Sequence, residues 1–166
     1  MEIYNYEIDR YGKVCLQFAK QCKTDVGFGA VFVKNNQILG MGRNRWATDE
    51  DRKSIPRTDY AIHAEQSAIL DAIKKGYDVS NGHVYVLGIC LHGKNKGALT
   101  TRTEKIFVCS KCPHVFLKYN ISVHIPHING WMKISAQESL EIGNRVANKG
   151  YWGNFVSGEH ICMQEI

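Results

Sequence analysis

His63 and Glu65 stand two positions apart in "YAIHAEQSAIL" (60–70), and Cys109 and Cys112 bracket a C-x-x-C in "FVCSKCPHVF" (107–116). One imidazole and two thiolates make three of the four tetrahedral ligands of zinc, and three protein ligands with one open position is the arrangement of a catalytic site. A carboxylate that does not bind the metal then has a use, because it can take and relay the proton of the activated water. The pattern therefore predicts His63, Cys109 and Cys112 as Zn²⁺ ligands and Glu65 as the proton carrier. Residues two apart in a regular helix point to different sides. His63 and Glu65 must consequently open a helix, where side chains lean back toward its N-terminus. Other classes compete: a C-x-x-C also serves redox chemistry, and a non-catalytic zinc-stabilised module would close the fourth position with a protein atom.

Several elements must position these groups. "DRYGKVCLQFAKQC" (9–22) carries Val14, Phe18 and Cys22 at four-residue steps, predicting an amphipathic first helix. "GAVFVKNNQILGMGRN" (29–44) reads as a hairpin turning at Asn35-Asn36, since asparagine tolerates positive φ. Residues 45–58 read as a polar loop. An apolar stripe from Ala61 to Ile73 predicts a second helix closed by Gly76. "GHVYVLGICL" (82–91) reads as a buried strand, and "KIFVCSKCPHVFLKYNISVHIP" (105–126) as strand, helix, strand, with Ser110 as N-cap and Pro113 in the first turn. "ISAQESLEIGNRVANKG" (134–150) predicts a last helix with Ser135 and Glu138 as a capping box. Helices alternating with strands after a hairpin imply an α/β fold, a mixed sheet covered on both faces.

With 166 residues and no internal repeat or linker, residues 1–166 are expected to form one domain. No apolar run reaches the length of a membrane span and "MEIYNYEIDR" lacks a signal peptide's hydrophobic core, so no membrane and a cytoplasmic location are expected. Of six cysteines, Cys15, Cys22, Cys90 and Cys162 are scattered and are expected to be reduced core thiols. The net charge of +5 permits a phosphate-bearing ligand without demanding nucleic acid. Arg43, Arg45, Lys53 and Arg57 are candidates for holding a phosphate, although acids interleave them. His83, His92, His114, His124 and His127 form no compact cluster and are expected to be surface or hydrogen-bonded residues. Trp46, in a long loop, is a candidate to stack on a base.

"HAEQSAIL" and "CSKCPHVFLKYNIS" resemble the two zinc motifs of the cytidine/deoxycytidylate deaminase superfamily, and their order, each opening a helix, fits the H-x-E followed by C-x-x-C of zinc deaminases. "GAVFVKNNQILGMGRN" resembles the family's first hairpin, so that the resemblance covers about residues 8–128. It implies a three-layer α/β/α fold with a five-stranded mixed sheet. It also implies hydrolytic deamination of an aminated base with release of ammonia, Glu65 moving the protons. Asn44 matches the asparagine that contacts the sugar, while Ala30 and the backbone of Ala64 fall where the base is held. The chain departs from the family at Val108, where a proline usually precedes the first cysteine, at Ser67, where many nucleotide and tRNA deaminases carry asparagine, and in the added residues 92–105. The expected substrate is a cytosine nucleoside or nucleotide of the deoxycytidylate kind. Deamination of tRNA adenosine or guanine is the alternative, with nucleic acid permitted but not favoured and a homo-oligomer expected.

Overall fold

The computed structural model describes residues 4–54, 61–100, 112–127 and 130–148. Helix α1 (Arg10–Ala19) starts at Asp9, whose carboxylate accepts from the backbone N–H groups of Tyr11 and Gly12, two of the donors a helix start leaves open. Strands β1 (Val26–Lys34) and β2 (Gln37–Arg43) then form the hairpin, with Asn35 and Asn36 at φ of 52° and 61° as a tight turn requires. A short ribbon pairs β3 (Arg45–Trp46) with β4 (Ala61–Ile62), and α2 (Asp49–Ser54) lies between them in sequence. Helix α3 (Ala64–Lys74) leads through Gly76, at φ +87°, to β5 (His83–Cys90). The remaining elements are β6 (Leu99–Thr100), α4 (Cys112–Tyr119), β7 (Ser122–His127), β8 (Gly130–Ile134) and α5 (Ala136–Asn148).

Five strands lie in the order β2-β1-β5-β7-β8, and β6 pairs with β5 where β7 does not reach. β5 and β7 are parallel and the other neighbours antiparallel, giving the mixed sheet expected. Alternation along the strands sends Ala30, Phe32, Val84 and Val86 to one face, against α3, α4 and the start of α5. Val31, Val33, Leu87 and Ile89 face the other way, under Cys15, Leu16 and Ala19 of α1. Helices therefore cover both faces, as three layers require.

Glycines set how closely these layers approach. A Cβ on Gly29 would lie 1.9 Å from the carbonyl oxygen of Cys15 in α1, and one on Gly42 would lie 2.3 Å from Oγ of Ser67 in α3. The hairpin thus carries bare backbone toward both helices, and α3 is pressed onto β2.

The sequence reading differs from this structure in identifiable places. Ala61 and Ile62 belong to β4 rather than to the helix, because extended backbone is needed to pair Arg45 and Trp46. The loop 45–58 contains α2, opened by Thr48 and Asp51: Asp51 accepts from the Thr48 N–H and its own N–H donates to Thr48 Oγ1. Residues 91–98, which overlap the added stretch 92–105, form the turn of a hairpin. Cys90 N–H donates to Ala98 O at 2.9 Å and Gly97 N–H to Cys90 O at 2.8 Å, which brings β6 back onto β5. β8 was not anticipated. The α5 start is as expected, with Ser135 Oγ accepting from Glu138 N–H at 3.1 Å. The strand expected before Cys109, the N-cap Ser110 and the closing Gly150 lie outside the described residues.

Candidate active site

His63 is the N-cap of α3, with φ −75° and ψ 159°, so its backbone is still extended while Ala64 is helical. This geometry removes the conflict raised by the two-residue spacing. His63 is not on the helical surface, and its imidazole direction is set by the strand-like residue before the helix. Gln66, almost fully buried, accepts the His63 N–H at 3.0 Å through Oε1, and the Ser67 N–H donates to the His63 carbonyl at 2.9 Å. Both ends of the His63 peptide are therefore held. Gln66 was missed by the sequence reading, although a Glu or Gln three residues after an N-cap is a start signal that could have found it.

Cys112, fully buried at the head of α4 as described, places its Sγ 3.2 Å from Nδ1 of His63. A nitrogen and a sulfur bound to one tetrahedral zinc lie about 3.5 Å apart, so this pair is preset to grip such an ion. Glu65 lies in the first turn of α3 and is 5% exposed. One ligand atom each from His63, Glu65 and Cys112 fall within 4.8 Å of one another, the only such group of three among the described residues. Cys109 lies outside the described residues. The donor set of imidazole and thiol therefore fits zinc, with a carboxylate held beside it.

The other predicted residues fall in different settings. Ala30, fully buried on β1, pairs with Gly42 and Val86, and Ala64 is buried in the same core cluster at the first turn of α3. Asn44 is half-buried, its Oδ1 accepting from the Phe28 N–H at 3.1 Å. Trp46 is 80% exposed on β3. Arg45 is committed elsewhere. Its Nη1 and Nη2 reach the fully buried Asp51 carboxylate at 2.6 and 3.1 Å, and this guanidinium holds the Asp51 carboxyl well below the usual carboxylate range. Arg43 Nη1 donates to the Gln21 carbonyl at 3.3 Å, and Arg57 lies outside the described residues. Lys53 is exposed.

Cys15 is buried on the sheet-facing side of α1, where burial pushes its thiol far above the ordinary value and makes it inert. His83 and His124 hydrogen-bond each other at 3.0 Å between Nδ1 and Nε2, on the α1 side of the sheet.

An α/β/α sandwich that delivers an imidazole, a thiol and a buried carboxylate to one point at helix openings is the architecture of a zinc-binding deaminase. Residues 6–125 match the family model described as the cytidine and deoxycytidylate deaminase zinc-binding region, and the chain belongs to that family. Among solved structures it is similar to cytidine deaminase from Burkholderia pseudomallei, at 17% identity and a TM-score of 0.50 over 75% of this chain and 88% of that one. The dCMP deaminase of cyanophage S-TIM5 aligns at 20% identity with a TM-score of 0.43, over 68% of this chain and 76% of that one. No curated protein matches the chain in sequence. Among the described residues no helix is long and apolar enough to cross a membrane.

Proposed function

We propose that the protein is a zinc-dependent hydrolytic deaminase that converts a cytosine nucleoside or nucleotide, of the deoxycytidylate kind, to its uracil form. The observation that carries this reading is the convergence of His63 Nδ1, Cys112 Sγ and the Glu65 carboxylate within 4.8 Å, together with membership of the family. His63, Cys112 and Cys109 would hold the ion, which supplies the Lewis acidity that makes a water nucleophilic near neutral pH. Glu65 does the proton work. Its carboxylate takes a proton from the attacking water and passes it to the ring nitrogen next to the aminated carbon. It then takes the second proton, from the hydroxyl newly formed on that carbon, and delivers it to the departing amine as the C–N bond breaks, the carbonyl forms and ammonia leaves. Burial suits this role, because a carboxylate shielded from bulk water keeps the proton for the reaction. Ala64 and Ala30 offer small side chains and backbone where a planar base would rest.

The test is an ammonia-release screen over cytosine, adenine and guanine compounds as bases, nucleosides and nucleotides. A cytosine nucleoside or nucleotide should be the preferred substrate. Glu65→Gln should keep about one zinc per chain, measured by metal analysis, and lose about a hundredfold or more in kcat. A Glu65→Gln variant that released ammonia at the parent's rate would remove the assigned role.

A further inference from the structure

Asn44 stands one step beyond the Arg45–Ile62 pair of the β3–β4 ribbon, which puts it opposite His63 across the two chains. Its side chain is not free to turn. Oδ1 accepts from the Phe28 N–H at 3.1 Å and from Sγ of Cys22 at 3.0 Å, so both lone pairs of the oxygen are used. Rotating the amide by half a turn would set its NH₂ against the Phe28 N–H, donor against donor. The thiol fills the second lone pair and stops the amide from swinging about the first. Cys22 has longer contacts to the carbonyls of Phe18 at 3.9 Å and Phe28 at 3.7 Å, so Asn44 is its nearest acceptor. Among the described residues, Nδ2 of Asn44 donates to no protein atom. A half-buried amide beside the candidate metal ligand is thus held with its acceptor sealed and its two donors unspent.

We propose that Cys22 is a positioning residue for substrate. Its thiol, with the Phe28 N–H, clamps Asn44 so that Nδ2 donates to a hydroxyl or carbonyl oxygen of the ligand next to His63. The inference rests on the deaminase reading above and adds a residue that the two zinc motifs do not contain. The sequence makes Cys22 look like ordinary core, and its burial agrees, but a buried apolar residue would have left Oδ1 with one bond.

The experiment compares Cys22→Val, which keeps the volume and removes the donor, with Cys22→Ser, which keeps a donor, in the full chain with zinc content checked. Asn44→Ala is the reference. Cys22→Val should raise KM about fivefold, the worth of one hydrogen bond, with kcat within about twofold of the parent, and Cys22→Ser should recover part of the loss. If Cys22→Val does not fold, Cys22→Ala takes its place against Cys22→Ser. A donor-free variant with the parent's KM, in an enzyme where Asn44→Ala is impaired, overturns the proposal. So does equal impairment of Val and Ser variants, which would mark a packing role. A parent silent toward every aminated compound removes the deaminase reading and this proposal with it, and is told apart by the absence of any activity to compare.

Discussion

Asp51 carries no exposed surface, yet it is an acid, and its partners explain how it is tolerated. It accepts from both terminal nitrogens of Arg45 and from the Thr48 N–H, and Lys74 Nζ lies 3.9 Å away. A buried charge is acceptable only when paired and hydrogen-bonded in this way. Arg45 was read from sequence as a phosphate candidate because it stands beside Asn44, the position expected to contact the sugar. The structure spends it on fixing the loop that carries Asn44. Asp51→Asn should therefore cost about 2 kcal/mol of stability, since the Arg45 guanidinium loses a charged acceptor. Urea unfolding of the zinc-loaded protein checks this, and an unchanged midpoint would mean that Arg45 finds an equal partner in water. At this scale the sequence is most informative where chemistry is local. His63 and Glu65 share one turn and are legible as a pair. Asp51 and Arg45 are six residues apart in a loop, and nothing in their types announces that one will neutralise the other.

Among the elements, the hairpin glycines decide how the site is held. Gly29 pairs with Arg43 and Gly42 with Ala30, one step apart at the same end of the hairpin, so the two glycines face opposite helices. A methyl on Gly42 meets Ser67 Oγ at 2.3 Å, Ser67 Cβ at 2.6 Å and Ala68 N at 2.8 Å. Relief requires α3 to move, and Ser67 is hydrogen-bonded to the His63 carbonyl. A methyl on Gly29 meets only α1, through Cys15 O at 1.9 Å and Ala19 N at 2.8 Å. Replacing glycine by alanine in an open strand gains a little from reduced chain entropy, but overpacking of this kind costs about 1–3 kcal/mol. Both Gly29→Ala and Gly42→Ala should thus lower the unfolding temperature, while only Gly42→Ala should also weaken zinc retention in a chelator competition. Equal zinc retention by the two would show that α3 moves without carrying His63. Helices α1, α3, α4 and α5, the first hairpin and β5 were legible because each has its own periodicity or turn residues. β8 was missed although Asn129-Gly130 is a hairpin signal in the sequence. β3, β4 and β6 are two-residue strands, too short for any alternation to mark them, and β3 and β4 also find each other across the intervening α2 segment.

For the molecule as a whole, acid tests how the parallel strands at the centre of the sheet are joined. His83 on β5 and His124 on β7 hydrogen-bond each other, and the His124 ring stacks on Tyr85 at 4.1 Å between centroids. Burial lowers the His124 pKa to about 4, with the charges of His83 and Lys133 adding to it. Burial also lowers His83, again with help from Lys133. The unfolded chain takes up these protons near the ordinary value of 6.5, so between that value and about 4 it binds more protons than the folded one. Stability contributed by the neutral pair is therefore fully present above about pH 6.5 and is lost as pH falls toward 4. Tyr85, whose ring is tilted against that of Tyr11, stays protonated throughout, since it is raised to about 12, chiefly by burial. Acid also protonates the candidate zinc ligands, so the two effects must be separated. The comparison is between the parent and His124→Gln, both stripped of metal, unfolded in urea at intervals from pH 7.5 to 4.5. The parent should lose stability steadily over that range, and His124→Gln should show a shallower slope. Parallel slopes in the two proteins would place the acid sensitivity outside this histidine pair.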